Sequence, residues 1–233
     1  MAQEPLPSIG LRGVMANYRI IIVDDHPLFR DALGQMLSAS FEHLSIDQAP
    51  SFDALSQVLA RDANADLILL DLNMPGVHGF SGLLYLRAQH PGIPVVMVSA
   101  AEDPVTIRRC LDFGASGYIP KSQPAGQIRE ALKTVMGGGV WTPPGLELPN
   151  LTNDATHNVA ARIATLTPQQ LRVLMMLGEG LLNKQIAHNL GVSEATVKAH
   201  VSAILQKLRV DSRTQAVIAV GRIESGDWQK LGD

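Results

Sequence analysis

Short aliphatic runs alternate with amphipathic segments over the first 136 residues of the chain. The segments between the runs place apolar residues three and four positions apart, which is the period of a helix. Near-continuous aliphatic strands that alternate with helices are typical of a parallel sheet covered on both faces. The pattern therefore predicts a doubly wound α/β domain built on a five-stranded parallel sheet. The predicted strands are Arg19–Val23, Ser45–Ala49, Leu67–Leu70, Pro94–Val98 and Gly117–Ile119, and the predicted helices cover residues 27–37, 51–60, 79–89, 104–113 and 125–136.

The pattern changes at Gly137. Residues 137–160 are rich in Gly, Pro, Asn and Thr and follow neither period, which indicates a linker. Beyond it the periodicity is helical only, and two short helices across a Gly-containing turn have the spacing of a helix-turn-helix. We predict a flexible leader at 1–17, an α/β domain at 18–136 and a small all-α four-helix domain at 161–233. The four helices are predicted from Thr167 to about Leu177, from Asn183 to Asn189, from Ser193 to about Leu208, and from Ser212 to near Gly221.

The composition is that of folded domains rather than of a disordered chain, with 46% hydrophobic and 18% charged residues among 233. The single cysteine, Cys110, cannot form an internal disulfide, and no apolar run reaches the roughly 18 residues of a membrane helix. The N-terminus also lacks the apolar segment of a signal peptide. We therefore expect a cytoplasmic protein without a membrane partner.

The net charge of −3 hides a difference between the two parts of the chain. Residues 1–154 hold 10 Lys and Arg against 16 Asp and Glu, whereas residues 155–233 hold 9 against 6. The first part therefore carries −6 and the second +3. This asymmetry makes the basic part a candidate for a polyanionic partner.

Polar side chains follow four of the five predicted strands. The carboxyl ends of parallel strands meet at one edge of a sheet, so these side chains are expected to lie together. Carboxylates that close repel each other unless a cation lies among them, and a hard divalent ion such as Mg²⁺ prefers oxygen ligands. With the ion bound, Asp71 would attack a phosphoryl group, Lys121 would neutralise its charge, and Ser99 would donate a hydrogen bond to it. The side chains are Asp24 and Asp25 after strand one, Asp71 after strand three, Ser99 after strand four, and Tyr118 and Lys121 at strand five.

A phosphatase of the haloacid dehalogenase type would use related chemistry, an aspartate nucleophile with Mg²⁺. Such enzymes need a second Asp two residues after the nucleophile as a general acid, and this chain has Asn73 there. Poor turnover is expected, and we do not interpret the chain as an enzyme. The nearby His26 and His78 lack a metal-ligand pattern and are interpreted as loop or capping residues, and Cys110 is interpreted as a core residue.

The third helix of the basic part has a narrow polar face opposite its apolar stripe. Small residues dominate this face, so it can approach base edges in a major groove, where Lys198 would reach guanine or phosphate and Ala199 a thymine methyl. From periodicity alone, a DNA-binding domain and a protein-interaction bundle with a solvated polar face both remain open. The candidate groove residues are Thr196, Lys198, Ala199 and Ser202, and the candidate phosphate contacts are Asn183, Lys184, His200, Lys207 and Arg213.

Four segments, VDDHPLFRDAL, LDLNMPGVHG, VSAAED and GASGYIPKS, resemble in order and spacing the receiver domain of bacterial two-component response regulators over residues 18–136. Pro120 precedes the lysine of this motif, which is the variant of the NarL/FixJ subfamily. The resemblance implies a flavodoxin-like fold and a Mg²⁺-dependent phosphoacceptor site. The implied roles are phosphoacceptor for Asp71, switch residues for Ser99 and Tyr118, and Mg²⁺ ligands for Asp25, Asp71 and the backbone carbonyl of Asn73, with Asp24 acting mainly through water.

Residues 166–217 resemble the LuxR-type helix-turn-helix along its whole length. NKQIA opens the first helix of the motif, SEATVKAHV opens the recognition helix, and KLRVDSRTQAV leads into the last helix, through which the family usually dimerises. Gln170 and Arg172 differ from glutamates that are frequent in the family. Ser202 stands where some relatives carry a groove-facing lysine, so the base preference of relatives is not carried over.

Together the two resemblances imply a DNA-binding response regulator of the NarL/FixJ type. A sensor histidine kinase would phosphorylate Asp71, and phosphorylation would control homodimerisation and binding to promoter DNA, with RNA polymerase a further candidate partner. We also hypothesise that the unphosphorylated receiver covers the helix at 193–208. An alternative is a degenerate receiver that acts as an interaction module without phosphorylation; the intact set Asp24, Asp25, Asp71, Ser99 and Lys121 argues against it.

Overall fold

Five parallel strands form one sheet in the order β2-β1-β3-β4-β5. The computed structural model describes residues 18–74, 80–149, 162–163 and 165–225. Strands and helices alternate through the sheet domain, and four helices follow from Pro168 onward, so the predicted fold class is confirmed. The sheet domain comprises β1 (Tyr18–Val23), α1 (Pro27–Ser38), β2 (Leu44–Ala49), α2 (Phe52–Arg61), β3 (Leu67–Asp71), α3 (Ser81–Gln89), β4 (Val95–Ser99), α4 (Pro104–Asp112), β5 (Gly117–Pro120) and α5 (Ala125–Met136). The helical part comprises α6 (Pro168–Gly178), α7 (Asn183–Leu190), α8 (Glu194–Leu208) and α9 (Arg213–Ser225).

The sheet is covered on both faces, because alternate residues of a strand point to opposite sides. Every residue of the central strands β3 and β4 is buried. Ile68 and Leu70 pack toward α2, α3 and α4, whereas Leu67 and Leu69 pack toward α1 and α5. The edge strand β2 is more exposed, which fits its mixed sequence LSIDQA. The aliphatic runs therefore form the core as the pattern predicted.

The segment after α5 covers the outer edge of β5. Trp141 is buried, its carbonyl accepts a hydrogen bond of 3.0 Å from the backbone of Tyr118, and its own N–H donates to Ser116 at 3.2 Å. Gly117 permits this approach, because a Cβ at that position would lie 2.9 Å from the carbonyl oxygen of Trp141. The start of the predicted linker thus protects an otherwise unpaired strand edge.

The helices of the second part begin at the caps that the sequence predicts. Thr167 and Gln170 form a reciprocal capping box at the start of α6, and the Ser193 hydroxyl accepts a hydrogen bond from the backbone N–H of Thr196 at 3.1 Å. Gly191 ends α7 with a φ of 65°. Helix α9, however, continues past Gly221 to Ser225, because Gly221 does not adopt the positive φ with which glycine ends a helix.

No helix in the described part of the chain is both long enough and apolar enough to cross a membrane.

Candidate acidic site and DNA interface

Three carboxylates meet at the carboxyl edge of the sheet because β1 and β3 are neighbours. Asp24 and Asp25 follow β1 directly, and Asp71 is the last residue of β3. Asp24 and Asp71 are only 2% and 4% exposed, so both negative charges lie out of bulk water. The Asp24 carboxylate also accepts a hydrogen bond of 2.8 Å from the backbone N–H of His26, which turns the chain into α1. The sequence prediction placed these three side chains together, and the structure does so.

Lys121 neutralises part of this negative charge. Its ammonium lies 2.7 Å from Oδ2 of Asp24 and 2.9 Å from Oδ2 of Asp71, and it sits 4.8 Å from the ring centre of Phe29. The backbone N–H of Lys121 donates to the Ser99 carbonyl at 2.7 Å, which fixes the loop after β5 against the end of β4. Lys121 thus links three of the strands that build the site.

The pKa values of the buried pair reflect burial and pairing together. Burial raises the pKa of Asp71 above its usual value, and the hydrogen bond and charge of Lys121 oppose this rise only in part. Burial disfavours the charged form of Lys121, but its contacts with Asp24 and Asp71 outweigh that effect and raise its pKa. Lys121 is therefore the permanent cation of the site, whereas Asp71 bears a charge that the fold stabilises poorly.

The residues at this edge fit a divalent cation. Three carboxylates face one ammonium, which leaves about two negative charges uncompensated. Oδ2 of Asp24 and Oδ1 of Asp25 are buried and make no hydrogen bond of good geometry, and each has one close nitrogen neighbour, Lys121 at 2.7 Å and His26 at 2.9 Å respectively. One ligand atom from each of Asp24, Asp25, His26 and Asp71 lies within 4.8 Å of all the others. Carboxylate oxygens in such a negatively charged cluster are suitable ligands for a hard ion such as Mg²⁺.

Ser99 and Tyr118 lie beside the acidic cluster, as the sequence analysis predicted for the switch residues. Ser99 ends β4 and is fully buried, and its hydroxyl oxygen accepts a hydrogen bond of 3.2 Å from the backbone N–H of Ala101. The ring of Tyr118 is also fully buried, and its hydroxyl donates to the Ala101 carbonyl at 2.7 Å. Burial raises the pKa of the Tyr118 hydroxyl well above its usual value, so the phenol stays protonated. Both side chains therefore hold the same loop between β4 and α4.

His26 differs from its sequence interpretation. It occupies the N-cap position of α1, but its side chain makes no capping hydrogen bond, and its ring turns toward the carboxylates instead. Its place directly after two Asp residues brings it near the site, but the direction of its ring depends on the rotamer. His78 lies outside the described residues. Cys110 is fully buried, in agreement with its interpretation as a core residue.

The candidate groove face of α8 is exposed. Val197, Ile204 and Leu208 are buried against the other helices and fix the orientation of α8. On the opposite side the candidate groove residues are accessible, and the ammonium of Lys198 lies 3.1 Å from Glu194, one helical turn earlier. The exposed candidates are Thr196, Lys198, Ala199 and Ser202.

The candidate phosphate contacts divide into two groups. Lys184 is exposed and His200 is half-buried, and the structure gives neither a side-chain hydrogen bond or ion pair among the described residues. The ammonium of Lys207, in contrast, donates to the carbonyl of Thr165 and to Oε1 of Gln170, both at 2.8 Å. These bonds hold α8 against the start of α6, and the interpretation of Lys207 as a phosphate contact stays a prediction.

Asn183 and Arg213 also contact each other, since an Arg213 N–H donates to the amide oxygen of Asn183 at 3.3 Å. A second N–H of Arg213 donates to the carbonyl of Leu181. These bonds join the turn before α7 to the start of α9. Both side chains are half-buried, so they position the helix-turn-helix and are less available to DNA than Lys184.

Among the described residues, the main contact between the sheet domain and the C-terminal helices is that of α3 with α6. Tyr85 of α3 packs edge-to-face on Phe52 at 5.2 Å, and Met175 and Met176 of α6 pack against the same apolar cluster. A cavity of about 150 Å³ remains between these elements. The hypothesis that the receiver covers the helix at 193–208 is not supported in this structure, because the groove face of α8 is open.

A five-stranded doubly wound domain with this acidic site, joined to a helix-turn-helix, defines the class of response regulators. Residues 20–133 match the model of the response regulator receiver domain, and residues 164–220 match the model of the bacterial regulatory proteins of the luxR family. The chain belongs to the NarL/LuxR family of response regulators, which are DNA-binding transcriptional regulators of two-component systems and not enzymes. The family predicted from the sequence is thereby confirmed.

Two curated relatives and one solved structure illustrate this similarity. The chain is 41% identical over 213 residues to the glycerol metabolism activator of Pseudomonas putida, covering 89% of this chain and 96% of that protein. It is 32% identical over 204 residues to the nitrate/nitrite response regulator protein NarL of Escherichia coli strain K12, covering 86% and 94%. A structure of RcsB from Salmonella enterica serovar Typhimurium matches with a TM-score of 0.52 at 23% identity, covering 88% and 98%, and supports the fold.

Proposed function

We propose that this response regulator accepts a phosphoryl group on Asp71 from a sensor histidine kinase, and that phosphorylation promotes homodimerisation and binding to promoter DNA. The observation that supports the proposal is the pairing of the buried Asp71 carboxylate with Lys121 beside the carboxylates of Asp24 and Asp25, a cluster with more negative than positive charge. A phosphoryl group brings negative charge, which this site can hold only with an ammonium and a divalent cation nearby.

Asp71 is the nucleophile of the proposed transfer. One of its oxygens attacks the phosphorus of the kinase phosphohistidine, a P–O bond forms, and the P–N bond breaks with its electron pair left on the imidazole nitrogen. The ammonium of Lys121, already 2.9 Å from Asp71, balances charge on the phosphoryl oxygens. Asp25, Asp71 and the backbone carbonyl of Asn73 would hold Mg²⁺, with Asp24 acting through water. When bound, Mg²⁺ neutralises charge on the transferred group.

Ser99 and Tyr118 would carry the signal away from the site. The Ser99 hydroxyl accepts a hydrogen bond from the backbone N–H of Ala101, and its proton would turn to a phosphoryl oxygen on Asp71. Both side chains contact Ala101, so a movement of Ser99 would change the loop before α4. We infer that residues 18–136 respond as one receiver domain and that residues 137–160 link it to the DNA-binding domain at 161–233.

Promoter binding would use the exposed face of α8. Thr196, Lys198, Ala199 and Ser202 would enter a major groove and Lys184 would contact phosphate, which their exposure supports. Helix α9 would supply the dimer contact, and its exposed Ile218 is an apolar residue suited to a second copy. A dimer would present two α8 helices to two half-sites.

The test is phosphorylation of the full chain with a small phosphodonor and Mg²⁺, followed by intact-mass measurement. We expect the mass of one phosphoryl group on the wild type and on Asp66→Asn, a control at the other end of β3, and none on Asp71→Asn. Sedimentation should then show a dimer only after phosphorylation. Rapid multiple turnover of the donor, or an adduct on Asp71→Asn, would refute the proposal.

The DNA-binding half is tested separately. The phosphorylated chain is used to select duplexes from a random pool, and the selected duplex is titrated with phosphorylated wild type and with phosphorylated Lys198→Ala. We expect tight binding by the wild type, with a preference for two related half-sites, and weaker binding by the variant. Equal affinity of both proteins for selected and unselected duplexes would contradict sequence-specific reading by α8.

A further inference from the structure

His26 occupies the N-cap position of α1, but its side chain does not cap the helix. At the N-cap of a helix, Asn, Asp, Ser or Thr normally accepts a hydrogen bond from the first turn, and histidine is not a favoured cap. His26 makes no such bond in α1. Its side chain is 66% exposed, so it contributes little to the core. The contacts of its ring lie elsewhere, at the carboxylates of the acidic site.

The ring contacts the acidic site. Nδ1 of His26 lies 2.9 Å from Oδ1 of Asp25, 3.2 Å from Oδ1 of Asp24 and 4.0 Å from Oδ2 of Asp71. The two shorter distances are in the range of hydrogen bonds between the ring and the carboxylates, so the ring is held at the site. One ligand atom from each of Asp24, Asp25, His26 and Asp71 lies within 4.8 Å of all the others. The imidazole nitrogen is therefore close enough to share one ion with the carboxylates.

We propose that His26 is a nitrogen ligand of the divalent-cation site, and that it shifts the preference of this site from Mg²⁺ toward borderline transition ions such as Co²⁺. The inference rests on the proposed Mg²⁺ site of the receiver. Imidazole nitrogen favours ions late in the first transition series, whereas Mg²⁺ favours oxygen. A site with carboxylates alone would have no such donor.

The ring also completes the mouth of the site. Asp24 and Asp71 are almost fully buried, whereas His26 lies at the surface beside them. An ion that enters from solvent would therefore meet the imidazole together with Asp25, which is partly exposed. This position would let His26 influence which ion is held.

Calorimetric titration of the full chain with Mg²⁺ and with Co²⁺ tests the proposal. His26→Asn removes the imidazole but adds a favoured N-cap, so the start of α1 is preserved. We expect this variant to bind Co²⁺ about tenfold more weakly, while its affinity for Mg²⁺ changes less than about twofold. The matched control His90→Asn, at the end of α3, should keep both wild-type affinities. Circular dichroism confirms that both variants fold.

Pulsed electron paramagnetic resonance of the Mn²⁺-loaded protein supplies a direct readout. We expect coupling to an imidazole ¹⁴N in the wild type and in His90→Asn, and its loss in His26→Asn. Coupling that survives in His26→Asn, or equal loss of Mg²⁺ and Co²⁺ affinity, overturns the assignment of His26. If Asp25→Asn binds both ions as tightly as the wild type does, the proposed Mg²⁺ site itself fails, which is a different result.

Discussion

Asp71 lies where burial stabilises its negative charge poorly in the absence of a bound cation. Its carboxylate is 4% exposed, and burial raises its pKa despite the pairing with Lys121. Groups arranged for chemistry are commonly held at such a cost to stability. The proposed reactivity of Asp71 and its effect on folding therefore have one physical origin.

The first prediction concerns the free energy of unfolding of metal-free protein at pH 7. Asp71→Asn replaces a buried charge with a neutral amide of the same shape, so we expect the variant to be more stable than the wild type by about 1 kcal/mol. Urea unfolding in the presence of a chelator measures the difference. Addition of Mg²⁺ should stabilise the wild type more than the variant and reduce the gap. A less stable variant would show that pairing with Lys121 outweighs burial.

The second prediction concerns His90, whose pKa is lowered by burial. Between this lowered pKa and the unfolded value of 6.5, the unfolded chain binds more protons than the folded chain. Stability is therefore lost as the pH falls below 6.5 and is regained as it rises. His90→Asn should lose less stability than the wild type between pH 7.5 and pH 5.5, by a few tenths of a kcal/mol because the ring is partly exposed. Urea midpoints at the two pH values test this, and equal slopes would contradict it.

Some site residues could be predicted from their position in the sequence alone, and others could not. Asp24, Asp71 and Ser99 were predictable, because any side chain at the carboxyl end of a neighbouring strand reaches the same edge. The ring of His26 was not, since its direction depends on a rotamer that the sequence does not specify. The internal bonds of Lys207 were missed for a related reason, because their acceptors lie 37 and 42 residues earlier in the chain.

At the scale of elements, periodicity predicted every strand and helix that buries a continuous face. It could not predict the pairing of Trp141 with β5, because one isolated bridge has no period and its partner is fixed only in the folded sheet. It also predicted an end of α9 near Gly221, whereas the helix continues to Ser225, because Gly221 keeps a negative φ and does not form a left-handed cap. Local signals thus give the elements, whereas tertiary contacts decide their edges and ends.

The third prediction tests this edge contact. Gly117→Ala places a Cβ 2.9 Å from the carbonyl oxygen of Trp141, so either the bridge or the strand must shift. We expect a loss of about 1–3 kcal/mol in the free energy of unfolding. Gly126→Ala is the matched control, because a Cβ there meets nothing within 4 Å and alanine favours the helix. Chemical denaturation compares the two, and an equal effect of both changes would argue against the bridge as a stabilising contact.

At the scale of the whole molecule, the sheet domain and the C-terminal helices share an apolar contact, while the acidic site and the groove face of α8 lie on separate surfaces. The contact between α3 and α6 leaves the acidic site at the edge of the sheet and the groove face of α8 accessible. We therefore expect the proposed phosphorylation of Asp71 to affect DNA binding through dimerisation, or through the arrangement of the two parts of the chain. It would not act by uncovering α8. Neither the contact nor its position was predictable, because both surfaces are ordinary amphipathic helix faces in the sequence.

The division of charge gives the last prediction, which concerns the salt dependence of promoter binding. The part from residue 155 onward carries +3, but only exposed cations can release counterions from DNA. Lys184 and Lys198 are exposed, whereas the ammonium of Lys207 is bonded to Thr165 and Gln170. We expect Lys184→Ala to reduce the slope of log K against log salt by about one per protomer.

Lys207→Ala is the matched comparison, because it removes the same charge from the same domain. It should leave that slope nearly unchanged and instead lower the free energy of unfolding by about 1–3 kcal/mol, since two internal acceptors lose their donor. Fluorescence anisotropy with a duplex at several salt concentrations, combined with denaturation, separates the two effects. If both variants reduced the slope equally, Lys207 would have to leave its internal partners and contact DNA. The distinction between Lys184 as a DNA contact and Lys207 as a structural residue would then be wrong.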